Sequence, residues 1–110
     1  MKQEVKALVI SVDGTTEIKT IKQDLDTLQD LVYGNLEFVS LDYGHLYCNE
    51  DGYALGLSPN AKANALAKLV GWFPIPGDYL KGTIVFLGTD YVEGNEDDVP
   101  DQILELCNTL

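Results

Sequence analysis

Residues 5–14 read Val5-Lys6-Ala7-Leu8-Val9-Ile10-Ser11-Val12-Asp13-Gly14, and this stretch decides the class of fold. From Val5 to Val12 it is nearly continuous in apolar residues, which is typical of a strand covered on both faces and predicts a place in the middle of a sheet. Asp13 and Gly14 both tolerate positive φ and therefore predict a hairpin turn. The polar alternation from Thr15 to Ile21 then predicts an edge strand.

The next elements are a helix and two short strands. Asp24 predicts an N-cap for a helix whose apolar face is Leu25, Leu28, Leu31 and Val32, and Gly34 is expected to supply the left-handed residue that ends it. Residues 36–41 and 46–48 predict the two strands, separated by a glycine-containing break. His45, the only histidine, falls in that break and is expected to be a half-exposed turn residue.

The second half of the chain predicts a helix, a strand and a final helix. Ser58 and Pro59 are expected to be the N-cap and first residue of a helix from about Asn60 to Val70, with Ala61, Ala65, Leu66, Leu69 and Val70 facing inward. Gly82 to Asp90 predicts a second interior strand. Pro100 begins a terminal helix that docks through Ile103, Leu106, Cys107 and Leu110.

Together these elements predict one α+β domain over residues 1–110, because 110 residues close one modest core. We expect a mostly antiparallel sheet of about five strands with two or three helices, in the order ββαββαβα. An acidic and mobile segment is expected at residues 91–99, before the C-terminal helix. Cys48 and Cys107 are expected to be reduced core thiols.

The net charge of −11 arises from 18 acids and 7 lysines, with no arginine. This charge disfavours direct binding of DNA or RNA, since phosphates would be repelled. Without an apolar run long enough for a membrane span, the chain is expected in the cytoplasm. The acids are uneven: residues 52–89 carry only Asp78 against Lys62, Lys68 and Lys81.

No motif predicts catalysis. His45 has no serine or cysteine at triad spacing, and the residues show neither a CxxC motif nor the periodicity of a calcium loop. We therefore expect no catalytic residue, metal or cofactor, although an unrecognised hydrolase or transferase remains a third possibility.

Two binding sites are predicted instead. The first is the start of the second helix, where free amides favour anions; its candidate ligand-binding residues are Ser58, Asn60, Lys62, Asn64 and Lys68, with Tyr53 and Trp72 as stacking surfaces. The alternative interpretation of that stretch is a capped helix with two solvent-facing asparagines. The second site is the acidic tail, where Glu93, Glu96, Asp97, Asp98 and Asp101 would contact a basic partner; its alternative is a solvated run.

Much of the chain resembles the domain of unknown function 3846 family, small proteins of bacteriophages and of bacteria that host mobile elements. The similar residues are the opening strand and hairpin at 5–14, the helix and strand at 25–41, and a run of short matches through Asn49-Glu50-Asp51-Gly52, Gly56-Leu57, Pro59-Asn60, Ala63, Gly77-Asp78 and 82–85. Residues 72–76 and the acidic segment before Pro100 depart from the family. The resemblance implies a phage or mobile-element accessory protein and brings no established activity.

These observations lead to two functional hypotheses and leave the oligomeric state open. The leading one is a non-enzymatic binding protein that antagonises a host process, such as defence, by sequestering a small anionic ligand of the nucleotide type. The alternative is an acidic inhibitor, resembling a DNA mimic, that binds a basic surface of a host protein.

Overall fold

The computed structural model describes residues 3–110 and contains six strands and three helices in that range. The strands are β1 Glu4–Ile10, β2 Thr16–Lys22, β3 Leu36–Ser40, β4 His45–Asn49, β5 Ile84–Thr89 and β6 Glu96–Asp97. The helices are α1 Leu25–Val32, α2 Ala61–Leu69 and α3 Asp101–Cys107. This confirms the predicted α+β class, and the order differs from the expected one only by the two-residue strand β6.

The sheet is antiparallel throughout, with the strand order β2-β1-β5-β4-β3 and β6 paired with the end of β5. The β1–β2 hairpin forms where Asp13 and Gly14 predict it, with Val5 opposite Ile21. β1 is an interior strand and β2 an edge strand, as expected. The central strand is β5, which pairs with β1 on one side and β4 on the other.

Helices cover both faces of the sheet. Helix α1 packs Leu28 and Val32 against one face, where Val85 and Leu87 of β5 point. Helices α2 and α3 cover the other face, where Ile84 and Phe86 point. Residue alternation along β5 therefore divides the interior into two hydrophobic cores, as its sequence predicts.

The ends of α1 confirm one expectation and correct another. The Asp24 side chain accepts a hydrogen bond from the Thr27 amide and caps the helix. The left-handed residue at the other end is Tyr33, with φ of 63°, and not Gly34. Gly34 is required for space instead, because a Cβ there would lie 2.8 Å from Nδ2 of Asn49.

The start and inner face of α2 also differ from expectation. The N-cap is Asn60, whose side chain accepts a hydrogen bond from the Ala63 amide, while Ser58 lies outside the helix. The buried residues of the helix are Ala63, Asn64, Leu66 and Ala67, whereas Ala61 and Leu69 are exposed. The inner face was misjudged because Asn64, a polar residue, lies inward.

The C-terminal region docks through Ile103 and Cys107, while Leu110 is exposed. Cys48 and Cys107 are both buried and free, as expected. The mobility of residues 91–99 stays a prediction, although Glu96 and Asp97 in that segment form β6. Between residues 3 and 110, no helix is long and apolar enough to cross a membrane.

Candidate functional site

A pocket of about 150 Å³ opens where β3 begins and β4 ends, beside Tyr53 and Trp72. We call it the Tyr53–Trp72 pocket. Its lining comes from β3, β4, the turn after β4 and the segment between α2 and β5, and consists of Glu37, Cys48, Asn49, Glu50, Gly52, Tyr53, Trp72, Asp78, Tyr79, Leu80 and Lys81. Tyr53 and Trp72 are thus brought together, as the predicted stacking surfaces of one site require.

The Tyr53 hydroxyl organises one wall of this pocket. It lies 3.2 Å from both the Gly77 carbonyl and the Asp78 carboxylate, to which it donates, and accepts a hydrogen bond from the Tyr79 amide at 3.0 Å. The ammonium group of Lys81 lies 4.6 Å from the centre of the Tyr53 ring, within range for a cation–π contact. One aromatic side chain therefore fixes the turn that carries the Asp78 carboxylate.

The pocket has a net negative charge, because its lining contains the carboxylates of Glu37, Glu50 and Asp78 and a single lysine. This negative charge affects the pKa of the buried Cys48 thiol, which also lines the pocket. Burial, followed by the negative charges of Glu37 and Asp78, raises the pKa of Cys48 to about 12, and the sulfur lies 3.9 Å from the Glu37 carboxylate. The carboxylates of Glu37 and Asp78, which come from separate elements, therefore both act on the Cys48 thiol.

Asn60 and Asn64, predicted to bind a ligand, are buried and bonded to the protein backbone. The side-chain amide nitrogen of Asn60 donates to the backbone carbonyls of Ile10 and Gly82, both at 2.9 Å. Asn64 exchanges two hydrogen bonds with the backbone of Leu80, again at 2.9 Å, and donates to the Asn60 carbonyl. These side chains join α2 to the sheet, and Asn64 positions the Leu80 wall of the pocket from behind.

The remaining predicted ligand-binding residues do not line the Tyr53–Trp72 pocket. Ser58 is exposed and Lys62 half-buried, while Lys68 lies in the last turn of α2. At 1.5 Å per residue, Lys68 is about 10 Å along the helix from its start. The anionic site at the start of α2 therefore lacks the converging side chains that were expected of it.

His45 contradicts its predicted place in a turn. It is the first residue of β4 and only 2% exposed, with its ring 4.8 Å from that of Phe38. Its Nδ1 lies 2.6 Å from the Thr89 hydroxyl, and its Nε2 pairs with the Glu96 carboxylate. Tyr47 donates to the other oxygen of Glu96 at 2.5 Å. Each side-chain polar group of this cluster has a protein partner, so we interpret it as structural.

The acidic tail is less solvated than predicted. Burial pushes the pKa of Glu96 upward, but hydrogen bonds from His45 and Tyr47 and the charge of His45 outweigh it, so the pKa lies below its ordinary 4.5. Asp97 accepts a hydrogen bond from the Asp98 amide, and Asp98 accepts one from the Lys6 amide. Of the five predicted partner-binding residues, Glu93 and Asp101 are exposed and the other three are half-buried.

Several pocket residues escaped the sequence interpretation. Glu37, Glu50 and Lys81 lie on separate elements, and no spacing relates them in the sequence. Glu50 and Asp78 belong to loops that are 28 residues apart in the sequence and meet only in three dimensions. Among residues 3–110, no group of three or more histidine, cysteine, aspartate or glutamate side chains is placed to hold a metal ion.

Comparison with known proteins shows the family and nothing further. The family model described as Domain of unknown function (DUF3846) matches residues 5–110, nearly the whole chain. The chain therefore belongs to this family. Neither the curated proteins nor the solved structures contain a match.

Proposed function

We propose that this DUF3846 protein is a non-enzymatic binding protein that engages a basic protein of its host. In this proposal the Tyr53–Trp72 pocket accepts a lysine or arginine side chain of the partner. The observation that carries it is the composition of the pocket: three carboxylates, one lysine and three aromatic residues line one cavity.

The charge balance of the pocket favours a cation. Glu37, Glu50 and Asp78 exceed the single positive charge of Lys81, so an incoming ammonium or guanidinium group gains attraction from the excess. The contact between Lys81 and Tyr53 shows the same chemistry inside the protein. Trp72 adds an indole ring to the pocket, and tryptophan is the aromatic side chain to which cations bind best.

The size of the cavity supports a side chain over a free nucleotide. Pockets for drug-sized ligands have volumes of about 300–1,000 Å³, whereas this one has about 150 Å³. A nucleotide would also bring phosphates toward the carboxylates of Glu37 and Asp78. Sequestration of a small anionic ligand stays a prediction, and the geometry of this pocket supports it less well.

An apolar loop beside the pocket supports a protein partner. Phe73 and Ile75 are 88% and 75% exposed, and Tyr79 at the pocket wall is also exposed. Pro74 and Pro76 restrict the backbone of this loop. Exposed apolar side chains around a charged pocket that receives one anchoring residue are typical of protein interfaces.

The proposed biological context follows from the family resemblance. A phage or mobile-element accessory protein acts in the cytoplasm of its bacterial host, and occupying a basic surface of a host protein would antagonise that protein. A host defence factor is the kind of target we propose. All three carboxylates of this site are exposed, whereas three of the five in the predicted acidic-tail site are half-buried.

Trp72 provides a direct test, because it is the only tryptophan and lines the pocket. Fluorescence titrations would use arginine amide, lysine amide and a panel of nucleotides. We expect the two amides to change Trp72 emission with Kd values of about 1 mM, or roughly −4 kcal/mol, and the nucleotides to have no effect. Added salt should weaken amide binding because it screens the carboxylates.

Two double variants, each of which removes two negative charges, test where the amides bind. Glu37→Gln with Asp78→Asn should abolish the response to the amides, whereas Glu93→Gln with Asp101→Asn removes the same charge elsewhere and should leave it intact. A host protein captured from lysate by the unmodified chain should be basic and should be lost with the first pair only. Saturable nucleotide binding without any response to the amides would refute the proposal and favour the anionic ligand.

A further inference from the structure

Strand β3 forms an open edge of the sheet whose one charged residue is Glu37. It pairs with β4 in an unbroken register from Leu36 to Ser40, without a bulge, and contains neither lysine nor proline. The opposite edge, β2, carries Lys19 and Lys22, and edge lysines oppose pairing with another strand. Of the two outer strands, β3 is therefore the one whose edge carries no lysine.

Two hydrogen bonds that frame β3 show which of its backbone groups are open. The Glu50 amide donates to the Asn35 carbonyl at 2.8 Å, and the Leu41 amide donates to the Gly44 carbonyl at 3.0 Å. Hydrogen-bonded and non-hydrogen-bonded pairs alternate along an antiparallel ladder. The backbone groups of residues 37 and 39 therefore face β4, and those of Leu36, Phe38 and Ser40 face the open edge.

We propose that a second copy of this chain pairs its β3 with this edge, antiparallel, about a two-fold axis at Phe38. The three outward residues are symmetric about Phe38, so Phe38 would face its counterpart and Leu36 would face Ser40 of the other copy. Each strand offers three amides and three carbonyls, and this register joins all of them in six hydrogen bonds. An isologous contact of this kind closes as a dimer.

The Phe38 side chain supports the same register. It is 54% exposed, and its ring is held against His45 and Tyr47 at centroid distances of 4.8 and 5.7 Å. In the proposed dimer the two Phe38 rings lie directly opposite each other on one face of the joined sheet. Cross-strand aromatic pairs are among the stabilising contacts of sheets.

Charge opposes this dimer and limits its affinity. In the proposed register Glu37 of one copy lies diagonal to Glu37 of the other, on the face that carries the Tyr53–Trp72 pocket. Each chain also carries a net charge of −11. Salt should therefore strengthen the dimer by screening, whereas it should weaken binding of a basic partner. The dimer and the proposed function can consequently fail independently.

Sedimentation equilibrium of the full chain tests the dimer, in dilute buffer and at about 1 M NaCl, where the Debye length is about 3 Å. We expect a monomer–dimer equilibrium with Kd of order 0.1 mM, tighter at high salt. Ser40→Pro removes an outward amide without removing a bond to β4, and it should weaken the dimer at least tenfold. Phe38→Lys should do the same, and Glu37→Gln should strengthen the dimer severalfold.

The matched control is Ile18→Lys, because Ile18 is equally exposed, at 56%, on the opposite edge strand. This variant should dimerise like the unmodified chain, and circular dichroism verifies that each variant folds. Amide hydrogen exchange provides a second measurement: Phe38 and Ser40 should gain protection as protein concentration rises, while Val39 is protected throughout. A monomer at about 1 mM in high salt, or a dimer insensitive to both β3 variants, would overturn the proposal.

Discussion

The carboxylate of Glu96 pairs with the buried imidazole of His45, a residue 51 positions earlier in the chain. This contact attaches the hairpin formed by β5 and β6 to β4. Tyr47 and Thr89 complete the cluster, so each ring nitrogen of His45 and each oxygen of Glu96 has a partner. The many charges of the acidic tail favour a solvated segment, but the contacts of Glu96 join it to the interior.

Replacing Glu96 should destabilise the fold. Glu96→Gln retains the shape of the side chain but removes the charge that pairs with His45 and accepts from Tyr47. We expect a loss of about 1.5–3 kcal/mol in the free energy of unfolding, the range for a hydrogen bond to a charged group. Urea denaturation measures it. Glu93→Gln, on the exposed side of the same hairpin, should change stability by less than about 0.5 kcal/mol.

The same pair predicts a pH dependence. Because the pKa of Glu96 is lower in the folded protein than its ordinary 4.5, its contribution is complete above pH 4.5 and is lost as pH falls through the folded-state pKa. The unfolding free energies of the unmodified protein and of Glu96→Gln should therefore differ near neutral pH and converge in acid. A difference that stays constant down to pH 3, measured by urea denaturation, would contradict this account.

Two substitutions at the start of α2 test whether Asn60 or Ser58 is its N-cap. Asn60→Ala removes the cap of the helix and leaves the carbonyls of Ile10 and Gly82 without their partner. We expect a loss of about 3 kcal/mol, as a cap and buried polar groups are lost together. Ser58→Ala, at the cap position favoured by the sequence, should cost less than about 0.5 kcal/mol. Equal losses in thermal or urea unfolding would be evidence against Asn60 as the cap.

Gly44 is constrained more tightly than Gly56, another glycine with positive φ. A Cβ at Gly44 would lie 2.1 Å from the Leu87 carbonyl oxygen, whereas one at Gly56 would have open space. Both residues have positive φ, of 76° and 69°. Gly56→Ala should cost about 1–2 kcal/mol for its backbone conformation alone. Gly44→Ala must also displace β5, and should either exceed 4 kcal/mol or prevent folding, as soluble yield and urea titration would show.

Cys48 should react slowly with thiol reagents. Its pKa of about 12, against 9.0 for an ordinary thiol, reduces the thiolate fraction at pH 8 by about a thousandfold. Mass spectrometry after iodoacetamide treatment should therefore show little modification of Cys48 until the protein unfolds. Glu37→Gln should accelerate the reaction, since it removes one of the charges that raise this pKa, and Glu93→Gln should not. Rapid labelling of the folded protein would contradict the described surroundings of the thiol.

Much of the fold could be predicted because local patterns determine it. The continuous apolar run before Asp13 predicts an interior strand, and alternation along Gly82 to Asp90 predicts a strand between two cores. Asp24 predicts a cap that needs only the next three residues. In each case the interaction lies within a few residues of the signal or depends on one periodicity.

The candidate site depends on contacts that no local pattern contains. Tyr53 and Trp72 could be proposed as partners, but the carboxylates around them come from separate elements whose meeting follows from sheet order. His45 and Glu96 meet through β4, β5 and β6. The sequence predicts that Asn60 and Asn64 either bind a ligand or face solvent, because asparagine is mostly exposed, whereas here backbone groups far along the chain satisfy their amides.

The bonds of Asn60 also bear on the order in which the molecule folds. They reach Ile10 and Gly82, 50 and 22 residues away, so the cap of α2 is complete only after β1 and β5 have met. A helix of nine residues is too short to be stable by itself in water. We therefore expect α2 to form together with the sheet rather than before it, and long-range β contacts to set the pace of folding.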